Sequence, residues 1–390
     1  MSSNGKDVVI LGGAGHVGLP LALSFANTGM RVGIFDLDIK ALDSIRAGTM
    51  PFREPGAPEL LAKVLPKLDL TNDPSMLGRT NIVVVVVGTP VEEFLGPSMR
   101  VFERLADQIA PHLRHGALVV LRSTVYPGTT SFFGEALRAR GAFVDVAFCP
   151  ERIAEGHAIA ELRSLPQVIG ADTAAVYARA KELFGPLGVL CLRTSTKEAE
   201  LAKLFTNVWR YTKFAVANQF LLIADEAGVD YSNVLHAIRT DYPRAADLPS
   251  PGFAAGPCLF KDTMQLAAFT SDHFPMGQAA MQINEGMPAY VVRLLEKRHG
   301  SLRNVTVGIL GMAFKPDSDD IRASLSFKLR TLLEWAGARV LCADPYVNDT
   351  RLVPVERVLE ESDTIVVATH TFSGLDLTEH DVIDLWNSQV

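Results

Sequence analysis

An apolar run, Val8–Leu11, leads straight into Gly13-x-Gly15-x-x-Gly18, and a helical pattern opens at about Val17. Few local sequences restrict a fold more. Gly13 permits a tight turn, Gly15 lets the backbone approach a pyrophosphate, and Gly18 lets the helix pack closely on its strand. The helix N-terminus then presents N–H groups to an anion. By itself this spacing is a weak sign, because a glycine-rich turn that binds nothing can carry it. The second apolar run, Arg31–Phe35, ends at Asp36, 18 residues after Gly18. A carboxylate there can accept from the adenosine ribose hydroxyls and opposes a 2′-phosphate, so NAD is expected over NADP. Gly13, Gly15, Val17, Gly18 and Asp36 are the expected cofactor contacts.

The rest of the first half keeps the same rhythm. Ile82–Val87, Leu118–Leu121 and Val144–Ala147 read as further strands, separated by amphipathic stretches, as in βαβ units around a parallel sheet. From Ser195 to about Ala227 there is no proline or glycine, Ser195 and Glu198 form a possible capping box, and Gly228 is a natural stop. One long helix is expected there. Near Ser301 the strand rhythm returns with Val305–Leu310, Arg339–Ala343 followed by Asp344, and Thr364–Ala368. Gly337-Ala338-Arg339-Val340 even echoes Gly29-Met30-Arg31-Val32. The expected fold is α/β: two Rossmann-like doubly wound lobes joined by a central helical domain with a long helix. The expected domains are residues 1–194 (NAD-binding), 195–300 (helical, carrying a catalytic Lys, Asn and Cys) and 301–390 (binding a nucleotide-sugar). The third lobe lacks a full glycine fingerprint, so dinucleotide binding is assigned to the first alone.

Composition narrows the partners. With 390 residues, 48% hydrophobic and 21% charged, the chain reads as globular and large enough for two or three domains. A net charge of -7 gives no basic footprint for nucleic acid. No apolar run approaches the roughly 20 residues a membrane helix needs, and the first strand leaves no room for a signal peptide. Cys149, Cys191, Cys258 and Cys342 are too scattered for a zinc site or a disulfide scaffold, so no metal and a reducing cytoplasm are expected.

The chemistry concentrates in Pro251-Gly252-Phe253-Ala254-Ala255-Gly256-Pro257-Cys258-Leu259-Phe260-Lys261-Asp262. A cysteine in a small-residue loop, with a lysine and a carboxylate within four positions, is a candidate nucleophile. Lys261 favours its thiolate, and Asp262 can orient or deprotonate a water. The other three cysteines lie in or beside apolar strands and read as core residues. Lys203 and Asn207, four apart on the long helix, share a face and can both donate to an oxyanion, although a solvated face has the same spacing. Thr89 and Thr124 sit in loops that end strands, where ligands meet such sheets, or where ordinary turns form.

In this order along the chain the sequence resembles the UDP-glucose/GDP-mannose dehydrogenase family. The resemblance is carried by the glycine fingerprint, Gly88-Thr89-Pro90, Ser123-Thr124 with Pro127-Gly128-Thr129, and Pro150-Glu151-Arg152-Ile153-Ala154-Glu155-Gly156. It continues through Lys203 to Asn207, the Cys258 loop, and Phe314-Lys315-Pro316 leading to Asp320-Ile321-Arg322-Ala323-Ser324. The resemblance implies NAD-dependent, four-electron oxidation of the C6 hydroxyl of a UDP-sugar to a carboxylate. It implies Cys258 as the nucleophile that holds the aldehyde as a thiohemiacetal and Asp262 as its partner in handling water. Lys203 and Asn207 become oxyanion stabilisers, Glu151 the base for thioester hydrolysis, and Thr124 a group that positions water and cofactor. Glu155 lies at the nicotinamide end, Lys315 contacts the nucleotide-sugar, and Arg322 contacts the cofactor. The family's Gly-Gly pair before the cysteine is Ala255-Gly256 here, and the lysine often found after the ribose-binding acid aligns with Ala41. The chain stops soon after Trp386, so short last elements are expected.

Arg152 stands where glucose-specific members tend to have Phe, and Tyr242-Pro243-Arg244 also looks like the branch that oxidises N-acetylated hexosamines. Arg152 and Arg244 are therefore expected substrate contacts, with UDP-N-acetylmannosamine or UDP-N-acetylglucosamine preferred over UDP-glucose. The alternative for Arg152 is pairing with Glu151 or Glu155. Two other readings stay open: a single-step enzyme like the β-hydroxyacid dehydrogenases, and a non-catalytic NAD sensor. A homodimer through the central helix is expected.

Overall fold

The computed structural model describes residues 5–89, 99–271, 273–372, 374–384 and 386. Pro90 of the expected Gly-Thr-Pro loop lies outside the described residues. The chain forms two compact units, Met1–Phe205 and Thr206–Val390.

In the first unit the strands are β1 (Val8–Leu11), β2 (Val32–Phe35), β3 (Leu68–Thr71), β4 (Ile82–Val85), β5 (Leu118–Leu121), β6 (Asp145–Phe148), β7 (Gln167–Gly170) and β8 (Cys191–Thr194). The helices are α1 (Gly18–Asn27), α2 (Ile39–Arg46), α3 (Ala57–Val64), α4 (Arg100–Ile109), α5 (Thr129–Ala139), α6 (Ala158–Glu161) and α7 (Ala174–Phe184). Among the described residues the strands form one sheet in the order β3-β2-β1-β4-β5-β6-β7-β8, parallel except between β6 and β7. Side chains alternate across it. Val8, Ile10, Ile34 and Val120 pack under α1, α3 and α7, while Val9, Leu11, Val85 and Val119 pack under α4 and α5. Both faces are thus covered, which is why β1, β2 and β5 are buried throughout. Each such side chain removed from water contributes about 1.5–3 kcal/mol. The strand order reverses between β1 and β4, and their C-terminal ends open the crevice where ligands bind in such sheets.

The long helix α8 (Thr196–Glu226) is continuous and begins as expected. The Ser195 backbone N–H donates to Glu198 at 2.8 Å, while the Glu198 N–H donates to the Ser195 hydroxyl at 3.3 Å. It ends where Gly228 turns left-handed, at φ +69°.

The second unit holds α9 (Tyr231–Arg239), α10 (Leu259–Phe269), α11 (Pro275–His299), α12 (Leu325–Trp335) and α13 (Val355–Glu361). Its strands are β9 (Thr306–Leu310), β10 (Arg339–Ala343), β11 (Thr364–Val367) and β12 (Val382–Asp384), all parallel, in the order β10-β9-β11-β12. Val307, Ile309 and Val366 pack on α11 and α12, and Leu310, Leu341 and Ile365 on α13. The sequence echo extends to the backbone. The Gly12 N–H bonds to Phe35 O at 2.8 Å and the Gly311 N–H to Ala343 O at 2.9 Å. Asp36 accepts from Ala14 N, and Asp344 from Met312 N and Ala313 N.

Candidate active site

In the first unit the turn after β1 separates the glycines by task. Gly12 has φ +75°, and a Cβ there would lie 1.9 Å from Val86 O, so only glycine fits. Gly12 is a constraint that the Gly13-x-Gly15-x-x-Gly18 pattern does not include. A Cβ on Gly13 would lie 2.9 Å from Ile10 O, and one on Gly18 2.4 Å from Gly12 O; both positions serve close packing. Gly15 has nothing within 4 Å of that position, so its side of the turn is open to a ligand. Val17, at the N-cap of α1, makes no side-chain cap; the Leu19 N–H goes to Gly15 O at 3.0 Å and Pro20 has none, so the donors this end can offer an anion are those before Leu19. Asp36 lies against this turn, with Oδ2 accepting from Ala14 N at 2.9 Å and Oδ1 from Asp38 N at 3.0 Å. An open glycine face and a carboxylate at the end of the next strand, set against the same turn, fit a dinucleotide.

The two loops on the other side of the crevice are tied together. β4 ends at Val85, earlier than the β-branched run suggests: the Val86 N–H still bonds to Leu11 O at 2.8 Å, but Val87 has left the ladder. The Val87 N–H donates to the Ser123 hydroxyl at 2.9 Å, and that hydroxyl donates back to Val87 O at 2.7 Å. The Thr89 hydroxyl donates to Thr124 O at 2.7 Å, so these two expected cofactor contacts do come together.

The 151–157 loop is held by carboxylates. Glu54, almost fully buried, accepts from Gly156 N and Ala158 N at 2.8 Å each, and Glu161 accepts from Ala154 N at 2.6 Å. Glu151 is buried, bonded to the guanidinium of Arg122 and to the loop's own amides. Glu155 is half-buried. The Arg152 guanidinium donates to the Pro166 carbonyl. This is a third arrangement, distinct from both a fork awaiting substrate and an ion pair with a neighbouring glutamate. At the start of α8, buried Glu200 accepts from Gly128 N at 2.6 Å and Thr130 N at 2.8 Å, capping α5. Lys203, one turn further on, is 9% exposed.

In the second unit Asn207 and Asp262 meet. The Asn207 amide donates to Asp262 Oδ2 at 2.5 Å, and Lys261 Nζ stands 3.8 Å from Asp262 Oδ1, with the aspartate fully buried. Cys258 occupies the N-cap of α10, at the positive end of the helix dipole, where negative charge on sulfur is favoured. Its residue is exposed, whereas Cys149 and Cys342 are buried. Burial pushes the thiols of Cys149 and Cys342 up to about 12 and raises that of Cys191. Those three stay protonated at neutral pH.

Several groups that no sequence motif singles out shape the cysteine loop. Asn218, fully buried on α8, brackets Gly252: its Oδ1 accepts from Gly252 N at 2.8 Å and its Nδ2 donates to Gly252 O at 3.1 Å. The same Nδ2 reaches Asn284 Oδ1 at 2.9 Å. The available signal was Asn218 standing directly after the apolar stretch Phe214-Ala215-Val216-Ala217. Gly256, the glycine kept from the family's pair, has φ +105°, and a Cβ there would lie 2.6 Å from the Phe314 ring. Its N–H donates at 3.3 Å to the carbonyl of Ala323, which is itself strained at φ +53°. A cavity of about 270 Å³ lies beside this loop, lined by Ala255, Gly256, Phe260, Ser324 and Lys328 among others.

The remaining expected contacts are placed as follows. Lys315 Nζ lies 5.8 Å from the centre of the Phe314 ring. Arg322 is exposed and bidentate on Asp320, with Nε 2.9 Å from both carboxylate oxygens. Arg244 Nη1 donates to the Tyr242 hydroxyl at 3.1 Å. Among the described residues no helix is long and apolar enough to cross a membrane.

Residues 6–188 match the NAD binding domain of the UDP-glucose/GDP-mannose dehydrogenase family, 197–286 its central domain and 308–387 its UDP binding domain. A UDP-N-acetyl-D-mannosamine dehydrogenase of Pyrococcus horikoshii is 32% identical over 92% of this chain and 88% of that protein. A UDP-glucose 6-dehydrogenase of Bacillus subtilis is 29% identical over 96% and 84%. Among solved structures, a UDP-glucose dehydrogenase of Pyrobaculum islandicum matches with TM-score 0.91 and 30% identity, over 99% of this chain and 95% of that one.

Proposed function

The chain belongs to the UDP-glucose/GDP-mannose dehydrogenase family, and on that premise we propose that it oxidises the C6 alcohol of UDP-N-acetylmannosamine or UDP-N-acetylglucosamine through a thioester on Cys258. As an NAD-dependent nucleotide-sugar 6-dehydrogenase it is an oxidoreductase with a UDP-binding domain. The observation that carries the covalent route is the contrast among the cysteines: Cys258 is exposed at a helix N-terminus, four residues before a buried aspartate, and Cys149 and Cys342 are buried.

Gly13, Gly15, Val17, Gly18, Asp36, Thr89 and Thr124 would hold NAD on the first lobe, where it would supply the hydride acceptor for each of two oxidations. Cys258 adds its sulfur to the C6 aldehyde, so that the carbon is held between them. Lys203 donates to the oxygen that becomes negative at each tetrahedral stage, where one good donor is worth about 3 kcal/mol. The Asn207 amide spends one N–H on Asp262 and has a second for the same oxygen. Water attacks the thioester, with Glu151 receiving its proton and Asp262 and Thr124 orienting it. Glu155 lines the nicotinamide end and Lys315 the nucleotide. Arg322 is proposed as a cofactor contact from its resemblance to the family motif Asp320-Ile321-Arg322-Ala323-Ser324. The division into domains at 1–194, 195–300 and 301–390 belongs to this reading.

Two NADH are expected per sugar consumed, counted from absorbance against uronic acid formed. A ratio of one would move the assignment to the single-step β-hydroxyacid type.

The choice of sugar rests on Arg152 and Arg244. A kcat/KM for either N-acetylated sugar about tenfold or more above that for UDP-glucose is expected, measured under identical conditions. The second reading, UDP-glucose, is supported by the likeness to UDP-glucose dehydrogenases, and a clear preference for that sugar would establish it.

A homodimer through the central helix is also proposed. Along α8, Phe205, Trp209, Val216, Phe220 and Ile223 are exposed apolar residues, more than a solvated helix face carries. A cytoplasmic location is proposed from the wide scatter of the four cysteines along the chain, which suits no disulfide scaffold.

A further inference from the structure

Arg122 directly follows β5 and is 2% exposed, a rare burial for a guanidinium. Its fork has three destinations. Nε at 2.8 Å and Nη2 both donate to Glu151 Oε2. Nη1 donates to Gln167 Oε1 at 2.8 Å and to the Cys149 carbonyl at 3.2 Å. The Phe184 ring lies against it, its centre 5.1 Å from Cζ. Gln167, at the start of β7, gives its own amide N–H to Val168 O at 2.7 Å. One side chain thus joins the end of β5, the residue after β6 and the start of β7, and aims its charge at Glu151.

The other carboxylate oxygen is occupied too. Glu151 Oε1 accepts from Arg152 N at 2.7 Å and Ile153 N at 3.0 Å. A carboxylate has about four lone-pair directions, and four N–H groups take them here. For Glu151 to receive a proton, one of the four has to yield. The two amides cannot withdraw without the loop being rebuilt. The guanidinium can shift its share of Oε2 while Nη1 stays on Gln167.

We propose that Arg122 is the positioning residue for Glu151, pivoting on Gln167 to hold Oε2 in place and to release it for the water-consuming step. This rests on the reading of Glu151 as the base in thioester hydrolysis. There the water oxygen bonds to the thioester carbon, the water's proton goes to Glu151 Oε2, and the C–S bond breaks with its electron pair left on Cys258 sulfur. Both hydrides have left by then, so a fault at Glu151 slows hydrolysis and leaves the two oxidations untouched.

The test is a rapid-mixing time course of NADH with excess NAD and UDP-sugar. Arg122→Lys keeps the charge but loses the fork. It is expected to give a burst of about two NADH per active site, then a steady state about 10- to 100-fold slower than wild type, with the sugar KM within about twofold. Arg122→Met is expected to be slower still, so that lysine counts as partial rescue. Gln167→Leu leaves the ion pair but removes the pivot, and is expected to show the same burst with about a threefold loss. It keeps the proposal open to refutation if the arginine variants fold poorly. Glu151→Gln is run beside them. If it shows the burst while both Arg122→Lys and Gln167→Leu give linear time courses, the role of Arg122 is refuted and that of Glu151 stands. If Glu151→Gln itself shows no burst, the reading of Glu151 falls and the proposal with it.

Discussion

Cys258→Ala is expected to abolish formation of the uronic acid. Two hydrides must leave one carbon, and the intermediate aldehyde has to be held in a form that can lose the second. Sulfur addition provides that form, and no neighbouring group can replace it. The first oxidation does not need the thiol, so some NADH without acid is compatible with the loss, and the acid itself has to be measured by chromatography. A fall of at least about a thousandfold is expected, in line with removal of a covalent nucleophile. Cys149→Ala, Cys191→Ala and Cys342→Ala are the controls. The buried pair should each lose about 1–2 kcal/mol of stability and keep the reaction. Near-normal acid production by Cys258→Ala would rule out the covalent route and leave the family assignment intact.

Asn218→Ala is expected to have the largest effect on stability among single changes at the cysteine loop. Its amide satisfies the N–H and the carbonyl of Gly252 and one oxygen of Asn284, all without solvent. Truncation leaves three buried polar groups unpaired, each costing about 1–3 kcal/mol. Water entering the new cavity will recover part of this, so about 3–5 kcal/mol is expected from denaturant titration. Activity should fall even in the folded fraction, because Gly252 begins the loop that presents Cys258. A loss under about 1 kcal/mol would mean that the loop does not depend on this clamp.

Local sequence made much of the scaffold legible. The boundaries of β1, β5 and β10 follow from apolar runs alone, and α8 from its capping box and its glycine stop. β3 and β8 escaped because each lies at a sheet edge and is only partly buried, so that Leu68-Asp69-Leu70-Thr71 and Cys191-Leu192-Arg193-Thr194 lack a continuous apolar run. β7 has a buried polar residue, Gln167, at its first position, and only the tertiary structure shows that Arg122 is its partner.

The same division runs through the site. Spacing along the chain determined that a glycine turn opens a helix, that an acid ends the next strand, and that Lys203 and Asn207 share a helix face, because each depends on backbone geometry over a few residues. Which partner a buried polar group takes depends on residues far away in the chain, and this only folding decided. Arg122 reaches Gln167 across 45 positions, and Asn207 reaches Asp262 across 55. Arg152 turned to the carbonyl of Pro166, because a guanidinium that is partly buried must be hydrogen-bonded and that carbonyl is within its reach. No local pattern encodes such choices; they are set when strands from separate parts of the chain bring their ends together and exclude water from the polar groups between them.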